Sequence, residues 1–140
     1  MPIPAAPVAP DVAGVYQNRL DRLHGFVPLM GSEPTVIWAV DTAKLATIPI
    51  DQWKTYYFWA NIKSTLVDVQ VPPDLQSYQT FQSTGLIPGP ISTPTTSEID
   101  AALHPDQSAG YLYFIAIPNG TNVYATTLAQ QNANIKKYLP

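Results

Sequence analysis

Val12, Val15, Tyr16, Arg19, Leu20 and Leu23 recur at steps of three and four residues. That spacing predicts a helix over residues 11–24 with one apolar face. Asp11 is placed to cap it and Gly25 to end it. Residues 35–40 form a short apolar run behind Pro34, with Ser32 or Glu33 at the cap position. A helix fits, since proline is tolerated in a first turn, but the β-branched content leaves a strand open. Residues 51–62 carry Trp53, Tyr56, Tyr57, Phe58 and Trp59 and read as a helix. Its aromatics suit core or interface packing, or a platform for stacking sugars. Leu66 to Val71 alternate apolar and polar up to Pro72-Pro73, as a short strand would.

Residues 77–92 begin with alternating aromatic and polar positions, Tyr78-Gln79-Thr80-Phe81. An extended segment with one face on a core is expected. The run then meets Gly85, Pro88, Gly89 and Pro90, which predict a stiff loop of definite shape. Such a loop is either an ordered structural turn or the wall of a binding cleft. Ser97 is placed to cap a helix over residues 98–103 that ends before Pro105. Residues 111–117 read as a buried strand, Asn119-Gly120 as a hairpin turn, and residues 123–125 as the returning strand. Thr126 or Thr127 caps a last helix over residues 128–139, with Lys136 and Lys137 near its negative end. The class is α+β: a small antiparallel sheet with a C-terminal β-hairpin, packed with several short helices. Four prolines among residues 1–10 make an extended lead-in to a single domain over residues 11–140.

Composition narrows the chemistry. At 140 residues, 46% apolar and only 12% charged, the chain can bury a core and is not generally disordered. A net charge of −3, with seven Lys and Arg scattered apart from Lys136-Lys137, argues against nucleic acid, which needs clustered cations. With no cysteine, disulfides, zinc-thiolate sites and thiol nucleophiles are excluded. His24 and His104 have no metal-ligand spacing and suit helix ends. No Gly-x-Ser-x-Gly elbow and no Gly-rich phosphate loop is present. Both glutamates sit at predicted helix starts. Glu98 is explained by the helix dipole, whereas Glu33 is either a helix cap or a cleft carboxylate. No run is long and apolar enough to cross a membrane.

Five segments, in order, carry a family resemblance. They are Val-Ala-Gly-Val-Tyr-Gln-Asn-Arg-Leu from Val12, Pro-Leu-Met-Gly-Ser-Glu-Pro-Thr-Val-Ile-Trp-Ala from Pro28, and the loop from Tyr78 through Gly85-Leu-Ile-Pro-Gly-Pro-Ile. The last two are Ile99 to Pro105 with Tyr111 to Ala116, and Asn132 to Ile135. Together they resemble the YceG-like proteins, the endolytic murein transglycosylases. Gln79 stands at a usual Asn, Phe81 at a Tyr, Ile87 at a Pro and Glu33 at an Asp.

The resemblance implies cleavage of peptidoglycan glycan strands between N-acetylmuramic acid and N-acetylglucosamine. One glutamic acid protonates the glycosidic oxygen, then takes the proton of the sugar's own C6 hydroxyl as a 1,6-anhydro ring closes. That single residue contrasts with the paired carboxylates of glycoside hydrolysis. In the family this acid lies just upstream of the Asn-Arg-Leu helix. Here that place is held by the Pro-Ala lead-in, with no carboxylate before Asp11. The chain therefore resembles the carboxyl-terminal part of the catalytic domain without its acid, and no catalytic residue is expected in it, Glu33 being the fallback.

Asn18, Arg19, Ser32, Glu33, Thr35, Tyr78, Gln79 and Thr80 are implied to line a glycan cleft. Arg19 would orient the acid or a muramyl carboxyl group, and Tyr78 would pack on a sugar face. No metal and no cofactor is expected. The implied partners are glycan strands and peptidoglycan synthases, at the extracytoplasmic face of the cell membrane, with no membrane contact by this segment itself. The alternative is a non-catalytic glycan-binding or scaffold module. An older label for such sequences, aminodeoxychorismate lyase, needs pyridoxal phosphate on a lysine, and Lys44, Lys54, Lys63, Lys136 and Lys137 have no recognisable cofactor setting.

Overall fold

The computed structural model describes residues 10–58 and 66–140. In chain order these form α1 (Pro10–Leu20), α2 (Glu33–Leu45), α3 (Thr96–Leu103), β1 (Tyr113–Ala116), β2 (Asn122–Ala125) and α4 (Leu128–Tyr138). Four short 3-10 turns, Leu23–Gly25, Ile50–Thr55, Leu66–Asp68 and Pro73–Tyr78, lie between them. Helices with a two-stranded antiparallel sheet make an α+β fold, as the pattern predicts. The chain divides into two compact units, one of Met1–Val27 with Pro94–Pro140 and the other of Pro28–Thr93.

In the first unit, α1 buries Val12, Gly14, Val15, Asn18 and Arg19, the face that the three-and-four spacing predicts. Pro10 is already helical, so Asp11 lies in the first turn and offsets the dipole there rather than capping. The helix also stops at Leu20, short of the expected His24. Arg22 and His24 take left-handed backbone at φ 56° and 54°, and the amide of Arg22 tightens onto Arg19. Asp21 holds the turn in place by accepting from Gln17 and from Gln107.

α3 begins two residues earlier than expected. Thr95, not Ser97, is its cap: the Thr95 hydroxyl accepts from the Glu98 amide at 3.2 Å and the Glu98 carboxylate accepts from the Thr95 amide at 3.3 Å. The two donors are satisfied reciprocally, which a cap at Ser97 could not achieve. The β1–β2 hairpin turns at Asn119-Gly120, where Gly120 has φ 87° and Asn119 accepts from the Thr121 amide and hydroxyl. Thr127 caps α4 by accepting from the Gln130 amide. Gln131 and Asn134, neighbours on α4, donate to the carbonyls of Phe114 and Tyr124, which are register partners across the hairpin. Side-chain amides thus tie helix to sheet where two strands alone would be marginal.

In the second unit, α2 is a thirteen-residue helix, which removes the strand alternative. Pro34 sits in its first turn, where no donor is needed. Residues 51–62 are not one helix: a 3-10 turn ends at Thr55, Tyr56 is extended, and residues 59–62 lie outside the described part. The strand expected at residues 66–71 is absent as well. Leu66–Asp68 is a 3-10 turn, because the carbonyls of Leu66, Val67 and Val69 are taken by the side-chain amides of Gln79 and Gln82 instead of a partner strand. Likewise residues 77–81 are not extended. Tyr78 closes a 3-10 turn and the chain bends beyond it, while Leu29 and Thr84 form an isolated antiparallel bridge.

Candidate functional site

The second unit gathers six of the implied site residues around the start of α2. Thr80 accepts from the Ser32 amide at 2.8 Å, and its hydroxyl lies 3.0 Å from that of Thr35, which donates to the Ser32 carbonyl at 2.9 Å. Thr35 and Thr80 are both buried. Ser32 therefore flanks α2 with its backbone clasped from both sides, and its own side chain makes no capping bond. Replacing Thr80 with valine keeps the shape and removes these bonds. A loss of about 2 kcal/mol is expected, against less than about 1 for serine, read from the denaturant midpoint.

Gln79 is fully buried. Its amide nitrogen donates to the carbonyls of Leu66 at 3.0 Å and Val69 at 2.7 Å, and its oxygen accepts from the Phe81 amide at 3.2 Å. A buried amide with both ends engaged holds the turn at residues 66–69 against residues 79–81. Tyr78, just before it, is only half-buried. Its ring lies 4.5 Å from that of Trp38 on α2, the planes tilted by 37°. Glu33, the first residue of α2, is exposed.

Asn18 and Arg19 belong to the first unit, and both are buried. The Asn18 amide donates to the Tyr111 carbonyl at 2.9 Å and accepts from Gln107. Arg19 Nε donates to the Leu112 carbonyl at 2.7 Å, and its guanidinium lies 5.5–5.7 Å from the rings of Phe26, Tyr16 and Tyr113. Burial lowers the affinity of this guanidinium for its proton, while the two nearby tyrosines act the other way. The rings supply the electrostatic partner that a desolvated cation needs. These two residues fasten α1 to the segment entering β1.

Sequence patterning misses Trp38 and Gln107. Trp38 reads as one more apolar residue of α2, although it follows Thr35 by three positions and so shares a face with it. Gln107 lies in a polar loop with no periodicity to mark it. Among the described residues no group of three or more His, Asp or Glu could hold a metal ion, and no helix is long and apolar enough to cross a membrane.

A model of the YceG-like family matches residues 5–137. An endolytic murein transglycosylase of Bacillus subtilis (strain 168) is 34% identical over 128 residues, spanning 91% of this chain and 29% of the relative. One from Streptococcus pneumoniae serotype 2 is 28% identical over 130 residues, spanning 91% of this chain and 20% of the relative. The crystal structure of a YceG-like protein from Listeria monocytogenes matches with a TM-score of 0.60 at 29% identity, over 89% of this chain and 33% of that one. The chain thus spans under a third of the length of these two curated relatives.

Proposed function

This chain belongs to the YceG-like family, and on that premise we propose that it is the peptidoglycan-binding part of a lytic murein transglycosylase domain. The observation that carries the proposal is the extent of the family match, residues 5–137, which takes in every segment bearing an implied site residue. The substrate is a glycan strand, and the reaction of the whole domain is non-hydrolytic cleavage leaving 1,6-anhydro ends. Ser32, Glu33 and Tyr78 meet the strand directly, because they are not fully buried. Thr35, Gln79 and Thr80 are buried and hydrogen-bonded, so they act by holding the backbone around Ser32 and Tyr78, while Asn18 and Arg19, also buried, fasten α1 to the segment entering β1. The parent protein works at the extracytoplasmic face of the membrane, beside the peptidoglycan synthases.

On this reading proton transfer falls to a residue that this chain does not supply. Glu33 is exposed on the first residue of α2, with no enclosing wall to hold a sugar against it. The exposed position of Glu33 also fits a second reading, a module that binds glycan without cutting. Both readings predict that the 140-residue chain sediments with purified sacculi and releases no 1,6-anhydro muropeptides. Release by the chain, abolished in Glu33→Gln, would make Glu33 the acid. Failure to sediment would remove glycan binding altogether. If an acid-bearing partner segment added in trans restores release, the first reading stands over the second.

A further inference from the structure

We propose that Trp38 is a second sugar-contacting residue, forming with Tyr78 one aromatic surface for the apolar face of an N-acetylhexosamine ring. The inference rests on the glycan-binding reading above and adds to it a residue and a mode of contact. Two pairs, one turn apart on α2, join that helix to the chain around Tyr78: Thr35 meets Thr80 at 3.0 Å, and Trp38 meets Tyr78 at 4.5 Å between ring centroids. The first pair is buried and fixes the backbone. The second is only half-buried, so the rings are held without being enclosed.

The polar ends of the two rings distinguish this pair from core aromatics. Tyrosine and tryptophan usually find hydrogen-bond partners for their O–H and N–H when buried. Even the exposed Trp53 indole has one, donating to the Ile48 carbonyl at 3.0 Å. Among the described residues, neither the Trp38 indole N–H nor the Tyr78 hydroxyl has a protein partner, and neither atom is a buried orphan. Both ends therefore reach solvent. An aromatic body with two water-facing polar groups is what a pyranose needs, since it offers C–H bonds on one face and hydroxyl and acetamido groups around its rim.

Room is left at the rim as well. Gly89, between Pro88 and Pro90, lies beside the phenol, and a methyl added there would be 3.6 Å from the Tyr78 hydroxyl. Any longer side chain would compete with a ligand for that end of the ring. Because the rings are tilted by 37° rather than parallel, they do not seal each other off.

The test uses the chain labelled with 5-fluorotryptophan, its resonances assigned through Trp53→Phe and Trp59→Phe, and amidase-treated, peptide-free glycan strands as the probe. Addition of strands is expected to shift the Trp38 fluorine resonance and leave that of Trp53 in place. Trp38→Phe should weaken binding about threefold and Trp38→Ala about tenfold, the range expected for one aromatic contact. Sedimentation with sacculi accompanied by an unmoved Trp38 resonance would overturn this inference and leave the glycan-binding reading standing. No sedimentation at all would remove both. Measuring the resonance in the unsubstituted chain keeps the outcome independent of whether Trp38→Ala folds.

Discussion

Gly14→Ala is expected to destabilise the protein by about 3 kcal/mol, lowering the thermal midpoint by about 10 °C. Intrinsic helix propensity predicts the opposite sign, because alanine in a helix interior is favoured over glycine by about 1 kcal/mol. Packing decides the matter. Gly14 lies on the buried face of α1, and a Cβ built on it would overlap the carbonyl oxygen of Asp106 and lie 2.6 Å from its carbonyl carbon. The opposing atoms are backbone, so no side chain can rotate away. Relief requires moving α1 off the loop, which also breaks the bond from the Asp106 amide to the Pro10 carbonyl at 3.0 Å. Ala13→Gly, at a half-buried neighbour in the same helix, measures the propensity effect alone and should cost about 1 kcal/mol. A Gly14→Ala chain as stable as wild type would mean that helix and loop do not approach this closely.

Gln79→Leu should have a comparable effect, about 3–5 kcal/mol, read from the shift of the denaturant midpoint at unchanged slope. Leucine fills much of the same volume and is better buried, a gain of about 1–2 kcal/mol. It offers no polar atom to the carbonyls of Leu66 and Val69 or to the amide of Phe81, which the glutamine now satisfies. Three backbone groups losing partners, at about 1–3 kcal/mol each where they stay dry, outweigh the gain. Gln79→Glu should be worse still at neutral pH, because a carboxylate would face two carbonyl oxygens in a site closed to water. Burial raises the folded-state pKa of such a carboxyl, so the folded chain holds the proton more tightly than the unfolded one. Stability of Gln79→Glu should therefore rise as the pH falls and be lost as the pH climbs through that raised value. A Gln79→Leu chain within about 0.5 kcal/mol of wild type would show that these bonds carry no net stability.

Elements whose reasons are local were legible in the residues. The face of α1, the Asn119-Gly120 hairpin and α4 follow from periodicity or from a turn dipeptide with few alternatives. Even the misassigned cap of α3 was present as Thr95 followed by Glu98 three positions later, a capping box read two residues late. Where the reading failed, side chains from distant positions intervened. Alternation at Leu66–Val71 suits a strand, yet Gln79 and Gln82 occupy the carbonyls a partner strand would use. The site divides in the same way. Five motifs in order pointed to the family, and the family match bears that out. Which of the implied residues are buried could not be read from motifs, because Asn18 and Arg19 acquire partners more than ninety positions away.

By itself, then, the order of residues determined the face of α1, the hairpin, α4 and the family, because each depends on neighbours within a few positions or on the succession of motifs. Tertiary structure alone decided that Gln79 is a buried clasp and Arg19 a cation among rings. It also placed Trp38 beside Tyr78 and gave the irregular stretch around Leu66 turns rather than a strand. Those outcomes depend on which long-range donors reach a given backbone group first, and a buried backbone group must be satisfied by whichever partner the packing brings to it.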